Sequence, residues 1–144
     1  MTTMQVDLVS AEEQIFSGEA EYIVAPARDG ELGIYPHHMP LISKLRPGVF
    51  RVKLPGKDIQ LIYAISGGFI EVQGNKVSVL ADIVERTDDL DEAKLLEEKR
   101  KAEERLKASG ASMGEDDAKA YAALEIIIAQ LKAIGYINKH IHRS

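Results

Sequence analysis

The chain has 144 residues, a formal charge of −5 and 45% hydrophobic residues, the balance of a folded protein without the basic footprint of a nucleic-acid binder. It contains no cysteine, which excludes disulfides, thiolate metal sites and cysteine nucleophiles. The N-terminus lacks a cationic stretch ahead of an apolar run, and no segment is expected to approach the ~20 apolar residues of a membrane span.

Residues 1–86 predict short strands between turn signals. Val6 and Leu8 alternate with Gln5 and Asp7, Phe50, Val52 and Leu54 with Val49, Arg51 and Lys53, and Val77 and Val79 with Lys76 and Ser78. A period of two sends one set to a core and the other towards solvent. Turns fall at Ser17-Gly18, Asp29-Gly30, Pro47-Gly48, Pro55-Gly56 and Ser66-Gly67-Gly68, and Gly74-Asn75 suits a tight hairpin. About ten short strands at such spacing predict a β-sandwich or small barrel.

The pattern changes at Thr87, after which proline is absent and Ala, Leu, Glu and Lys dominate. Residues 87–144 therefore predict an antiparallel two-helix hairpin. Asp89 and Glu92 suggest a capping pair for a first helix from about residue 90 to 107, and Ser112 with Glu115 a second cap for a helix from about residue 115 to 138. The first helix has a thin apolar line of Leu95, Ala102 and Leu106, with Leu96 beside it. The second has two stripes: Tyr121, Leu124, Ile128 and Leu131, and Ala120, Ile127, Ile134 and Ile141. One thin-striped helix cannot cover both, so part of that surface must meet the β-domain or another chain. Charge is segregated as well. Acids end at Glu125, and Lys132, Lys139 and Arg143 follow, which complements the helix dipole and also suits an acidic partner surface.

Catalytic patterns are missing. Asp29-Gly30-Glu31-Leu32-Gly33 lacks the lysine of a phosphate loop and the spacing of a dinucleotide fingerprint, which leaves it a turn. His37-His38 and His140-x-His142 lack helical metal-ligand spacing, so no metal is expected. No nucleophile elbow or acid-base pair suggests an enzyme.

Several segments in fixed order carry a family resemblance. They are Ser10-Ala11-Glu12 with Phe16-Ser17-Gly18, Gly30-Glu31-Leu32-Gly33-Ile34-Tyr35-Pro36-His37-His38, Pro47-Gly48, Ser66-Gly67-Gly68-Phe69-Ile70-Glu71-Val72, Val79-Leu80-Ala81-Asp82, Leu90-Asp91-Glu92-Ala93 and Glu98-Lys99-Arg100-Lys101-Ala102-Glu103-Glu104. Over nearly its whole length the chain resembles the epsilon subunits of bacterial F-type ATP synthases. The resemblance implies a non-catalytic central-stalk subunit on the cytoplasmic face of the inner membrane, peripheral and not inserted. Its sandwich would be held by the gamma shaft and the rotor ring of c subunits, with Glu31 and His38 facing the ring. Its hairpin would either fold on the sandwich or extend into the alpha and beta subunits of the head and inhibit ATP hydrolysis, with Lys132, Lys139 and Arg143 as head contacts.

Some members of that family bind ATP through an Ile/Leu-Asp-x-x-Arg-Ala motif. Here the matching residues run from Leu90 to Leu95, with Lys94 in the arginine position and Leu95 in that of alanine. Lysine lacks the planar guanidinium fork, so ATP binding through Asp91 and Lys94 is expected to be weak or absent, and no cofactor is expected. Two competing expectations are a free-standing nucleotide or small-molecule sensor whose hairpin closes on its ligand, and an enzyme with an unrecognised site.

Overall fold

The computed structural model describes residues 2–109 and 115–141, the side chains of residues 109, 115, 116 and 138–141 excepted. In chain order the strands are β1 (Met4–Ser10), β2 (Gln14–Ala20), β3 (Tyr22–Ala27), β4 (Gly30–Ile34), β5 (Leu41–Leu45), β6 (Gly48–Lys53), β7 (Gln60–Ile65), β8 (Gly68–Gln73), β9 (Lys76–Ala81) and β10 (Val84–Arg86). A single 3-10 turn, Thr87–Asp89, leads to helices α1 (Glu92–Ser109) and α2 (Glu115–Ile141). The architecture is a ten-stranded β-sandwich followed by a two-helix hairpin.

The strands form one hydrogen-bonded path, β10-β7-β6-β3-β5-β8-β9-β1-β2, with β4 added to β3. The path folds over at its weakest link, the single pairing of Ala27 with Leu45 between β3 and β5. The two halves thus face each other across one core, where Leu8, Ile23, Ile34, Phe50, Ile65 and Ile70 are fully buried. Each such side chain contributes roughly 1.5–3 kcal/mol relative to exposure. β8 and β9 alternate strictly between buried and exposed positions, as a sheet with one face on a core requires. β1 and β9 run parallel, and the other recorded strand pairs are antiparallel. Gly68 has φ of 149°, and a Cβ there would lie 2.1 Å from the Leu80 carbonyl oxygen, so only glycine fits where β8 meets β9.

Leu54 packs against the core as expected, from just beyond the end of β6. Three sequence expectations need correcting. Ser17-Gly18, expected to form a turn, lies inside β2. Val49 and Arg51, expected to face solvent, lie on the face of β6 that the hairpin covers. α1 begins at Glu92, because the cap is Asp91, whose Oδ1 accepts from the backbone N of Lys94 at 3.3 Å; Asp89 belongs to the 3-10 turn. The proposed cap of Ser112 with Glu115 lies outside the described residues.

α2 packs on β6 and β7, and α1 packs on α2. Leu95 of α1 is buried, Ala102 and Leu106 are half-buried, and Leu96 is exposed, which matches the thin apolar line. α2 departs from the expectation of no long apolar segment. Asp117–Ile137 has a mean hydropathy of 1.4, long and apolar enough by composition to cross a membrane, with 22% of that window buried. Glu125 is the only charge between Lys119 and Lys132, which explains the value.

Candidate interaction surfaces

The covered face of the sandwich is built from β6 and β7. Val49, Ile62 and Ala64 point away from the core and meet Ala133 of α2, with Tyr136 and Ile137 against their edge. Ala133 is fully buried and Ala129 is 3% exposed, so small side chains let the helix approach the sheet closely. Polar contacts frame this patch. Gln130 Nε2 donates to Glu85 Oε1 of β10 at 2.6 Å, and the Arg51 guanidinium lies 4.6 Å from the centre of the Tyr136 ring. Of the two expected apolar stripes of α2, the one with Ile127 is the better buried, while Tyr121 and Ile128 of the other remain 47% exposed. The sheet-docking set of Ala133, Tyr136 and Ile137 falls on neither expected stripe.

The opposite outer face, on β5, β8, β9 and β1, carries Ile42, Phe69 and Leu80, exposed by 75%, 56% and 56%. Phe69 pairs across the strands with Leu80, and Val9 pairs with Leu80 on the other side. Asp7 and Ser78 border this apolar band. Asp7 accepts from the Ser17 hydroxyl at 2.7 Å and from Gln5 Nε2, with Lys76 at 3.5 Å, and these donors hold its carboxyl below the usual range.

Of the residues singled out from the sequence, Glu31 and Lys132 are brought to one cleft. Glu31 is near the start of β4, where its Oε2 accepts from Arg51 Nη2 at 3.2 Å. It also lines a cleft of about 330 Å³ whose far wall includes Glu125, Ile128 and Lys132 of α2. His38 follows the other end of β4, its Nδ1 2.7 Å from the Met39 carbonyl oxygen. The loop that carries it is tied down beside it, where His37, with φ of 67°, donates its backbone N–H to Asn75 Oδ1 at 3.2 Å. Asp91 is engaged as the α1 cap and Lys94 is exposed. The side chain of Lys139, and Arg143 altogether, lie outside the described residues, as do the His140 and His142 side chains. Among the described residues no group of three or more His, Asp or Glu is placed to hold a metal.

The chain is thus a β-sandwich with one apolar face covered by its own helical hairpin and another uncovered among the described residues, an arrangement suited to a binding protein. Residues 3–87 match the family model described as the ATP synthase delta/epsilon chain, beta-sandwich domain. The chain is 49% identical to the ATP synthase epsilon chain of Chromobacterium violaceum over 142 residues, covering 99% of this chain and 100% of that one. It is 46% identical to the ATP synthase epsilon chain of Laribacter hongkongensis with the same coverage. The chain belongs to the epsilon-chain family of ATP synthases.

Solved structures share the fold. A chain of the Euglena gracilis mitochondrial ATP synthase, described as OSCP/F1/c-ring in rotational state 1, superposes with a TM-score of 0.82 at 23% identity, over 93% of this chain and 82% of that one. A chain of the Tetrahymena thermophila mitochondrial ATP synthase central stalk and c-ring gives 0.62 at 13% identity, over 92% and 97%.

Proposed function

We propose that this chain is a non-catalytic subunit of the central stalk of an F-type ATP synthase, coupling the catalytic head to the membrane rotor ring, with its hairpin acting as a two-position brake on ATP hydrolysis. The complex places it peripherally at the cytoplasmic face of a bacterial inner membrane. The gamma shaft docks on the bare apolar face of Ile42, Phe69 and Leu80, which carries no partner within the described chain. The ring of c subunits is met by Glu31 near the start of β4 and by His38 in the loop that follows its other end.

One observation carries the brake. Docked on β6 and β7, α2 uses alanines for its closest approach and leaves Tyr121 and Ile128 half exposed, with Leu96 of α1 exposed to 50%. A helix with more apolar surface than its docked position covers has surface for a second position, and two packings differing by a few kcal/mol can interconvert. In the extended position Lys132, Lys139 and Arg143 meet acidic surfaces of the alpha and beta subunits.

The test is to replace these three with alanine in the assembled complex. ATP hydrolysis should rise while the complex still assembles. Unchanged hydrolysis with normal assembly would defeat the brake.

A further inference from the structure

Arg51 sits in β6 on the face that α2 covers, and its guanidinium is shared between two elements. The Glu31 carboxylate of β4 accepts from Nη2 at 3.2 Å, and the Tyr136 ring of α2 lies across the guanidinium carbon at 4.6 Å. The Arg51 side chain is 18% exposed, and its Nε is buried with no hydrogen-bond partner among the described residues. Glu31 is 47% exposed, so another molecule can reach its carboxylate while α2 is still docked.

We propose that Arg51 is the positioning residue that ties the Glu31 edge of the sandwich to the docked hairpin, so that a cationic group of a partner that takes the Glu31 carboxylate loosens α2. The sign follows from hydration. A guanidinium that has given up most of its water is compensated here by one carboxylate and one aromatic face. With the carboxylate withdrawn, the cation is left part-buried under Tyr136, and lifting α2 is the movement that returns water to it. Glu31 and Lys132 line the same cleft, so a group approaching Glu31 arrives at the seam between sandwich and helix. The consequence for hydrolysis rests on the brake proposed above; the coupling between Glu31 and α2 does not.

A double-mutant cycle on the full-length chain tests this, with amide hydrogen exchange of α2 as the readout and β8 and β9 as internal references. Glu31→Gln should speed α2 exchange about three- to tenfold, the range of an exposed ion pair acting through a cation–π contact. In an Arg51→Met background, which keeps an apolar stem under Tyr136, the same change should have an effect below about twofold. Arg51→Lys, which retains a cation, should preserve the dependence on Glu31. Equal effects of Glu31→Gln in both backgrounds, or none in the native background, overturn the proposal. The brake fails separately: hydrolysis by the assembled complex would then ignore hairpin position while the exchange cycle still shows coupling.

Discussion

Ala133→Leu is the substitution that separates the hairpin from the sandwich most cleanly. Ala133 is 0% exposed where α2 meets Val49, Ile62 and Ala64, so a larger side chain has no free space to enter. Three added carbons at a closed contact cost about 1–3 kcal/mol, which at 1.4 kcal/mol per tenfold lowers the docked-to-undocked ratio roughly 5- to 150-fold. The sandwich core contains no α2 residue, so its own stability should not change. Amide exchange should therefore accelerate in α2 and not in β1 or β9. In the assembled complex, hydrolysis should fall, because the released hairpin spends more time in the head. Unchanged α2 exchange would refute the tight docking contact, and a freed α2 with unchanged or faster hydrolysis would refute the brake.

Gly68→Ala places a Cβ against the Leu80 carbonyl at a φ of 149° and should destabilise the sandwich by about 2–4 kcal/mol, measured as a lowered urea midpoint; an unchanged midpoint contradicts the close approach. Asp7 has a folded-state pKa below its unfolded value, so its stabilisation is complete above about pH 4 and is lost as pH falls through the folded value. Asp7→Asn should flatten that acid limb in urea titrations at successive pH values, and an unaltered limb would show that Asp7 does not supply it. Calorimetric titration of the isolated chain with ATP should give weak binding or none, and Lys94→Arg should tighten any binding roughly tenfold or more by restoring the charge-assisted fork. Tight binding by the native chain would contradict this.

Sequence periodicity located the strands whose two faces differ. In β1, β6 and β9 the alternation of Val6 and Leu8, Phe50 and Val52, and Val77 and Val79 identifies residues that are buried in the core. It was less informative where a strand is apolar on both faces. Val49 and Ile62 lie outside the core yet are buried, because α2 supplies a second apolar layer. Phe69 and Leu80 are exposed for the converse reason, facing no layer among the described residues. The docking stripe of α2 was hidden because it centres on Ala133, whose small side chain adds little to a hydrophobic pattern. Asp89 and Asp91, either side of Leu90, can both cap the helix, and the 3-10 turn at Thr87–Asp89 decides between them. The bridge from Glu31 through Arg51 to Tyr136 joins three elements distant in sequence, and no local spacing could have indicated it.

Locking the docked form shows whether hairpin position governs hydrolysis. The chain has no cysteine, so Val49→Cys with Ala133→Cys introduces the sole possible disulfide, across the contact between β6 and α2. With the bond confirmed by mass in the assembled complex, ATP hydrolysis should be faster when oxidised and inhibition should return on reduction. Equal rates in the two states would contradict this.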